Sequence, residues 1–350
     1  MIFASDNTGP AAPEIMDAVL HANAGYQMPY GNDTIMPGVT QKIRDLFEAP
    51  EASVHLVATG TAANALALAT LANPWDGVFM HRIAHAEEDE CGAPEFYTNG
   101  AKLVLVDGAD GKMTPEALDR AILATGDKGV HGVQRGPVTI TNITEIGTAY
   151  SLDQIRALTD VANSYGLKTH LDGARFANAC AALDCTPAEM TWKAGIDGVS
   201  FGGTKNGCLG VEAVVFFDPA QAWELELRRK RGAHLFSKHR FLSAQMNAYV
   251  TDGLWLRLAE RANARAAELA EGIKTVPGAS LEAEPAGNMI FAHIPRGAHK
   301  RAMAAGAKYY LFPFNASLDG PEDETIRCRF VCDWSCDGET VQRLLGLLRG

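Results

Sequence analysis

What this chain of 350 residues lacks removes whole classes of function. It has no basic excess: a formal net charge of −11 and an isoelectric point near 5.4 leave no broad positive surface of the kind that tracks nucleic-acid phosphates. It has no long apolar run, since nothing approaches the roughly 20 residues that span a bilayer. Its start, Met1-Ile2-Phe3-Ala4-Ser5-Asp6, carries neither the basic residues nor the apolar stretch of a signal peptide. A cytoplasmic protein with no nucleic-acid or membrane partner is therefore expected. It also lacks a disulfide framework, because its 7 cysteines are odd in number and scattered. Cys328, Cys332 and Cys336 would share one side of an extended strand. Neighbours four apart there are separated by roughly 13 Å, too far for one ion, so no metal site is expected.

What is present is the balance of an ordinary soluble enzyme, 47% hydrophobic and 21% charged, with length for one large core and a smaller one. Through the first two-thirds, short apolar runs alternate with helical patterns, which predicts a parallel sheet flanked by helices. Strands are expected at Val54 to Thr59, Val78 to His81, Leu103 to Asp107, Val138 to Asn142, Leu167 to Asp172, Gly198 to Phe201 and Ala213 to Phe217. Helices are expected at Pro10 to Asn23 and Ala62 to Leu71, after the Thr114-Pro115 start, and after the capping box at Ser151 to Gln154. Beyond about Ala220 come long helices, Ala222 to Arg231 and Phe241 to Lys274, the second broken near Asp252-Gly253. A small α+β unit follows, with strands at Met289 to His293, Tyr309 to Phe312 and Ile326 to Cys332 and a closing helix from Glu339 to Leu348. The expected division is an N-terminal arm and helix over 1–25, a large α/β domain over 26–240 and a small domain over 241–350.

Chemistry gathers at the strand ends. Gly198 to Gly207 places Lys205 just past a buried strand in a glycine-rich turn, where backbone can approach a planar ligand. Lysine forms imines with aldehydes, although an exposed loop lysine is the plainer reading. In Leu167 to Arg175 an apolar strand ends in Asp172, which reads equally as a helix cap or as a carboxylate facing a ligand at the sheet edge. Pyridoxal phosphate needs such a carboxylate beside its pyridine nitrogen, to keep the ring an electron sink. Thr59-Gly60-Thr61 opens a helix after a strand, and free N–H groups with the Thr61 hydroxyl make an anion site there. The Gly-x-Gly-x-x-Gly spacing of a nicotinamide site and a P-loop lysine are both absent, which argues against an oxidoreductase.

Ser5-Asp6-Asn7, Tyr30-Gly31-Asn32-Asp33, Thr59 to Asn64, His85 through Gly92-Ala93, His170 to Arg175 and Ser200 to Gly207 together give the chain a specific likeness. From Ser5 to about Trp334 it resembles the L-threonine aldolases, low-specificity and phenylserine-cleaving types included. These belong to the aspartate-aminotransferase-like, fold type I group of pyridoxal-phosphate enzymes. The resemblance implies an α/β large domain with a mixed, mostly parallel sheet and a small C-terminal α+β domain. It implies Lys205 as the Schiff-base lysine, Asp172 as the pyridinium partner, and Gly60 and Thr61 as phosphate ligands. His85 would stack on the ring and share proton transfer with His131. Ser5, Tyr30, His131, Arg175 and Arg329 would meet the substrate, His131 near its hydroxyl and Ser5, Arg175 and Arg329 at its carboxylate, with Arg327 an alternative to Arg329 on the same strand face. Arg175 would also serve the cofactor. Lys238 and the basic run Arg228 to Arg231 would reach a neighbouring subunit's phosphate, in a homo-oligomer, a dimer of dimers, with sites at the interface. The implied reaction cleaves β-hydroxy-α-amino acids such as L-threonine, L-allo-threonine or L-phenylserine, reversibly, to glycine and an aldehyde. A β-eliminating lyase or an aminotransferase would use much the same constellation. Glu145 departs from the family pattern, standing where some members carry histidine.

Overall fold

In the computed structural model, which describes residues 1–350, the apolar runs of the first two-thirds become seven strands. They are β1 (Ser53–Val57), β2 (Asp76–His81), β3 (Lys102–Val106), β4 (Gln134–Thr141), β5 (Thr169–Gly173), β6 (Gly198–Gly202) and β7 (Glu212–Phe216). They form one sheet in the order β1-β7-β6-β5-β4-β2-β3. β1, β2, β5, β6 and β7 are buried along their whole length, so they lack the in-out alternation of a half-exposed strand. All neighbours are parallel except β7, which runs antiparallel to β6 and β1. The sheet is thus mixed but mostly parallel. The C-terminal ends of β1, β2, β4, β5 and β6, and the N-terminal end of β7, share one edge.

The expected helix starts are visible as hydrogen bonds. Thr114 caps Pro115–Leu123, and the Ser151/Gln154 box caps Leu152–Ser164. The break at Asp252-Gly253 is a change of backbone hand, with φ of 49° and 68°, between helices Arg240–Tyr249 and Leu254–Ile273. Helix Met36–Leu46 was not expected, because Pro37 and Gly38 in its first turn imitate a loop; Val39 and Ile43 bury its inner face. Helices Phe176–Leu183 and Arg296–Ala304 were likewise unexpected.

The last third adds β8 (Ser280–Leu281), β9 (Met289–Pro295), β10 (Tyr310–Phe312) and β11 (Thr325–Val331), an antiparallel sheet in the order β10-β11-β9-β8. This sheet has its own core around Ile290, Phe330, Leu344 and Tyr309. Helix Leu254–Ile273 joins the two: Leu254, Trp255, Leu258 and Ala259 enter the first core, and Ala266, Leu269, Ala270 and Ile273 the second. The chain's first residues belong to the second unit. Phe3 is fully buried there, its N–H donating to Lys308 O while its carbonyl accepts from Val331 N–H.

Candidate active site

The shared sheet edge surrounds a cavity of about 380 Å³, in the range of ligand pockets, lined by Asn7, Thr59, Gly60, Thr61, His85 and Lys205 among others. Lys205 enters it from the turn after β6, and both neighbours of the lysine are tied down. Asn206 donates to Tyr249 Oη at 2.8 Å and to Trp255 O at 2.7 Å, and Tyr249 Oη in turn donates to Gly202 O. On the other side Thr204 Oγ1 accepts from Val211 N–H, and the Gly203 N–H donates to Glu212 Oε2 at 2.8 Å. Glycine is required at Gly207, where φ is +98° and a Cβ would lie 2.9 Å from Leu258. Gly202 is held by space: a Cβ there would meet Ala174 O at 2.6 Å.

β5 brings Asp172 to the same edge, 3% exposed, with Oδ1 accepting from Ala174 N–H and Oδ2 meeting no protein donor. Beneath it, two residues back on the same face, His170 bonds Thr139 Oγ1 and Ser200 Oγ, and burial pushes its pKa down to about 4. It is a neutral packing group below the carboxylate. β1 leads into helix Gly60–Leu71, whose Thr59 cap accepts from Ala62 N–H and leaves the Gly60 and Thr61 N–H groups without intrahelical partners. Nothing lies within 4 Å of a Cβ built on Gly60. Free helix-end donors and a lysine around one cavity, with a carboxylate oxygen that meets no protein donor at the same sheet edge, fit a phosphorylated, pyridine-type aldehyde.

After β2, His85 Nδ1 meets Glu90 Oε1 at 3.0 Å, and Asn64 Nδ2 donates to the same oxygen at 2.9 Å. The Glu90 bond lifts His85 above the ordinary histidine value, against burial and the nearby Lys205 charge. Burial raises Glu90 above its ordinary carboxyl value, against its bonds to His85 and Asn64. With Nδ1 occupied, Nε2 is the nitrogen available to a ligand. Glu145, in the loop after β4, is close enough for its charge to act on His85, Arg175 and Arg329.

The arginines divide by partner. Arg175 is buried and uses its fork on Asp6, at 2.8 and 3.1 Å; Asn288 also donates to Asp6. Burial raises the Asp6 carboxyl, but Arg175, Lys205 and Asn288 together bring it below its ordinary value. An open bidentate fork is thus not what Arg175 presents to a carboxylate. Arg327 is likewise paired, to Glu282 at 2.5 and 3.0 Å. Arg329 donates only to Ala4 O, and its Nε is buried without a partner. Burial and the neighbouring Arg175 charge depress it. Of the two strand arginines, Arg329 is the one with donors to spare for an anion. Ser5 caps the turn Asp6–Thr8, its Oγ accepting from Asn7 N–H at 3.1 Å.

Of the expected residues, Lys205, His85, Gly60 and Thr61 line this cavity; Asp172, Ser5, Arg175 and Arg329 do not line it, and three others lie apart from it. His131 is exposed and precedes β4, whereas the site lies past its far end, roughly 23 Å along the strand. On that distance it does not reach the Lys205 of its own chain. Tyr30 and Lys238 occupy a separate exposed surface: Tyr30 N–H donates to Ser237 O, and Lys230 Nζ lies 4.6 Å over the Tyr30 ring. Conversely, Asn64, Glu90, Asp6 and Glu212 were not assigned roles from sequence. Glu90 was legible in principle, as an acid near an invoked histidine; Glu212, seven residues past the lysine, carried no motif.

The beta-eliminating lyase family matches residues 3–295. The chain is similar to a low specificity L-threonine aldolase of Pseudomonas aeruginosa, 40% identical over 342 residues, which are 98% of this chain and 95% of that protein. It is similar in structure to a Leishmania major threonine aldolase, with TM-score 0.91, 26% identity and coverage of 99% and 98% of the two chains. A serine palmitoyltransferase of S. paucimobilis solved with bound pyridoxal phosphate and myriocin shares the fold at TM-score 0.70 and 15% identity, covering 100% of this chain and 86% of that one.

Proposed function

This chain belongs to the beta-eliminating lyase family, and from that premise we propose that it is a low-specificity, pyridoxal-phosphate-dependent L-threonine aldolase, a carbon-carbon lyase of amino-acid metabolism. It cleaves L-threonine, L-allo-threonine and related β-hydroxy-α-amino acids, L-phenylserine among them, to glycine and an aldehyde, reversibly. The observation that carries the reading is the single cavity onto which Lys205, the Gly60-Thr61 helix end and His85 open, with Asp172 at the same sheet edge.

Pyridoxal phosphate, when bound, supplies the electron sink that stabilises negative charge at the substrate Cα. Lys205 would be its covalent anchor, and the fixing of Thr204 and Asn206 on either side confines the amine to the cavity. Asp172 would hold the ring nitrogen protonated through its free Oδ2, and the Gly60 and Thr61 N–H groups with the Thr61 hydroxyl would take the phosphate. Arg329 takes the substrate carboxylate, with Ser5 beside it, which orients the bond to be broken. Arg175 acts one layer back by fixing Asp6. His85 Nε2, backed by Glu90, accepts the β-hydroxyl proton and returns one at Cα, directly or through water.

A homotetrameric dimer of dimers in the cytoplasm belongs to the same reading. Its support is that Tyr30, Lys230, Arg231 and Lys238 lie exposed on a surface away from the chain's own cavity, whereas Arg229 is buried against Leu56 O and Glu226. There Lys238 and Tyr30 would complete the partner's site. The 1–25, 26–240 and 241–350 division is kept on the same footing, as an arm, a cofactor domain and a substrate-carboxylate domain.

Incubation with L-threonine and L-allo-threonine tests the function. Glycine and acetaldehyde are expected, and Lys205→Ala should abolish both the aldehyde and the visible absorbance of the bound cofactor. Release of 2-oxobutanoate and ammonia, consumption of an added oxo acid, or full activity in Lys205→Ala would overturn it.

A further inference from the structure

Glu212 lies where an acid is least expected. On β7 it pairs across to Val57 of β1, two residues before Thr59, and across to Gly202 of β6, three residues before Lys205. It therefore lies between the helix end that would hold a phosphate and the lysine, it lines the same cavity of about 380 Å³, and it is 4% exposed. A carboxylate fixed beside a phosphate dianion in so enclosed a space repels it strongly. A neutral carboxylic acid there would instead donate a hydrogen bond to a phosphate oxygen.

We propose that Glu212 meets the cofactor phosphate as a neutral carboxylic acid, so that loading the site draws one proton from solution. The inference rests on the pyridoxal-phosphate reading and concerns its phosphate end. Burial already raises Glu212 to about 7 in the protein alone, against the Gly203 and Thr204 hydrogen bonds and the Lys205 charge. A phosphate dianion raises it further. The other titratable groups around it are few. The lysine turn brings Lys205 and Cys208, helix Arg240–Tyr249 brings Tyr249, and the segment after β2 brings His85, Asp89 and Glu90 to the cavity. The β1 loop and its helix bring only Thr59, Thr61 and Asn64. Lys205 is the sole cation among them besides His85.

The linkage has a definite sign. Below pH 7 Glu212 is already protonated and phosphate binding needs no proton; above pH 7 the acid must first be protonated, so affinity falls by up to about tenfold per pH unit. The probe is pyridoxine 5′-phosphate, which has no aldehyde and cannot react with Lys205, titrated into the full-length chain stripped of cofactor. Between pH 7 and 8.5 its affinity for wild type should fall in this way, while E212Q, which keeps a neutral hydrogen-bonding side chain, should show a nearly flat profile. Unphosphorylated pyridoxine should be flat in both. Calorimetry on wild type alone, in two buffers of different protonation enthalpy at pH 8, should show uptake approaching one proton with pyridoxine phosphate and none with pyridoxine. Equal slopes in wild type and E212Q, an equal slope with pyridoxine, or no proton uptake would each overturn the proposal. Failure of wild type to bind pyridoxine phosphate at any pH would instead remove the cofactor reading beneath it.

Discussion

Arg327 and Arg329 are two positions apart on β11 with side chains on one face, and nothing in the local sequence separates them. Their partners do. Arg327 is engaged by Glu282, on the segment that leads from β8, whereas Arg329 keeps a buried, unpartnered Nε. Arg329→Ala should therefore raise KM for L-threonine by about tenfold to a hundredfold, the worth of a charge-assisted bond. Arg327→Ala should leave KM within about threefold, a loss confined to a partly exposed ion pair. Steady-state kinetics on the two variants decides it, and a larger KM effect at Arg327 would reverse the assignment. Lys205, Asp172 and Thr61 were readable because each is attached to the end of an apolar run, and strand ends collect at one edge of a parallel sheet. The capture of Arg175 by Asp6 was not readable, since it joins segments 169 residues apart.

At the scale of elements, the turn from Gly202 to Gly207 illustrates how a reactive side chain is held by unreactive ones. Asn206 Nδ2 joins Tyr249 Oη to the Trp255 carbonyl of helix Leu254–Ile273, and all three residues are buried. Asn206→Ala removes both buried bonds at once and should cost about 1–3 kcal/mol. A melting temperature lowered by several degrees, with visible absorbance of the bound cofactor lost before global unfolding, is the expected result of a thermal scan; an unchanged scan would refute the clamp. The strands themselves were legible from apolar runs, and the helix starts from their capping residues. The reversal of β7 was not read, although it had a physical signal: residues 203–211 are fewer than the dozen or so that a parallel crossover needs. Helix Met36–Leu46 stayed hidden because Pro37 and Gly38 look like turn residues when only sequence is seen.

For the whole molecule, the exposed Tyr30 and Lys238 raise a question that a single chain cannot answer by itself. If Lys238 completes a neighbour's phosphate site, Lys238→Ala and Lys205→Ala are defects in different halves of one shared site. Co-assembled, the two poorly active variants should regain up to about a quarter of wild-type activity, since half the dimers are mixed and each mixed dimer has one intact site. A mixture no more active than the average of its parents would place Lys238 outside the site. The small unit was legible as an α+β segment, but its union with the first six residues was not: Phe3 is a lone aromatic in an unpatterned start, and its place is set by β11.

That union fixes an order of events during synthesis. Phe3 hydrogen-bonds Val331 and Lys308, and the segment it anchors delivers Asp6 to Arg175 and Asn288. The ribosome makes Lys205, Asp172 and the Gly60-Thr61 helix end long before β11, so the cofactor end of the cavity can assemble first. The carboxylate end, with Arg329 itself on β11, waits for the last strand. A nascent chain can therefore acquire the means to hold a cofactor before it acquires the means to orient a substrate.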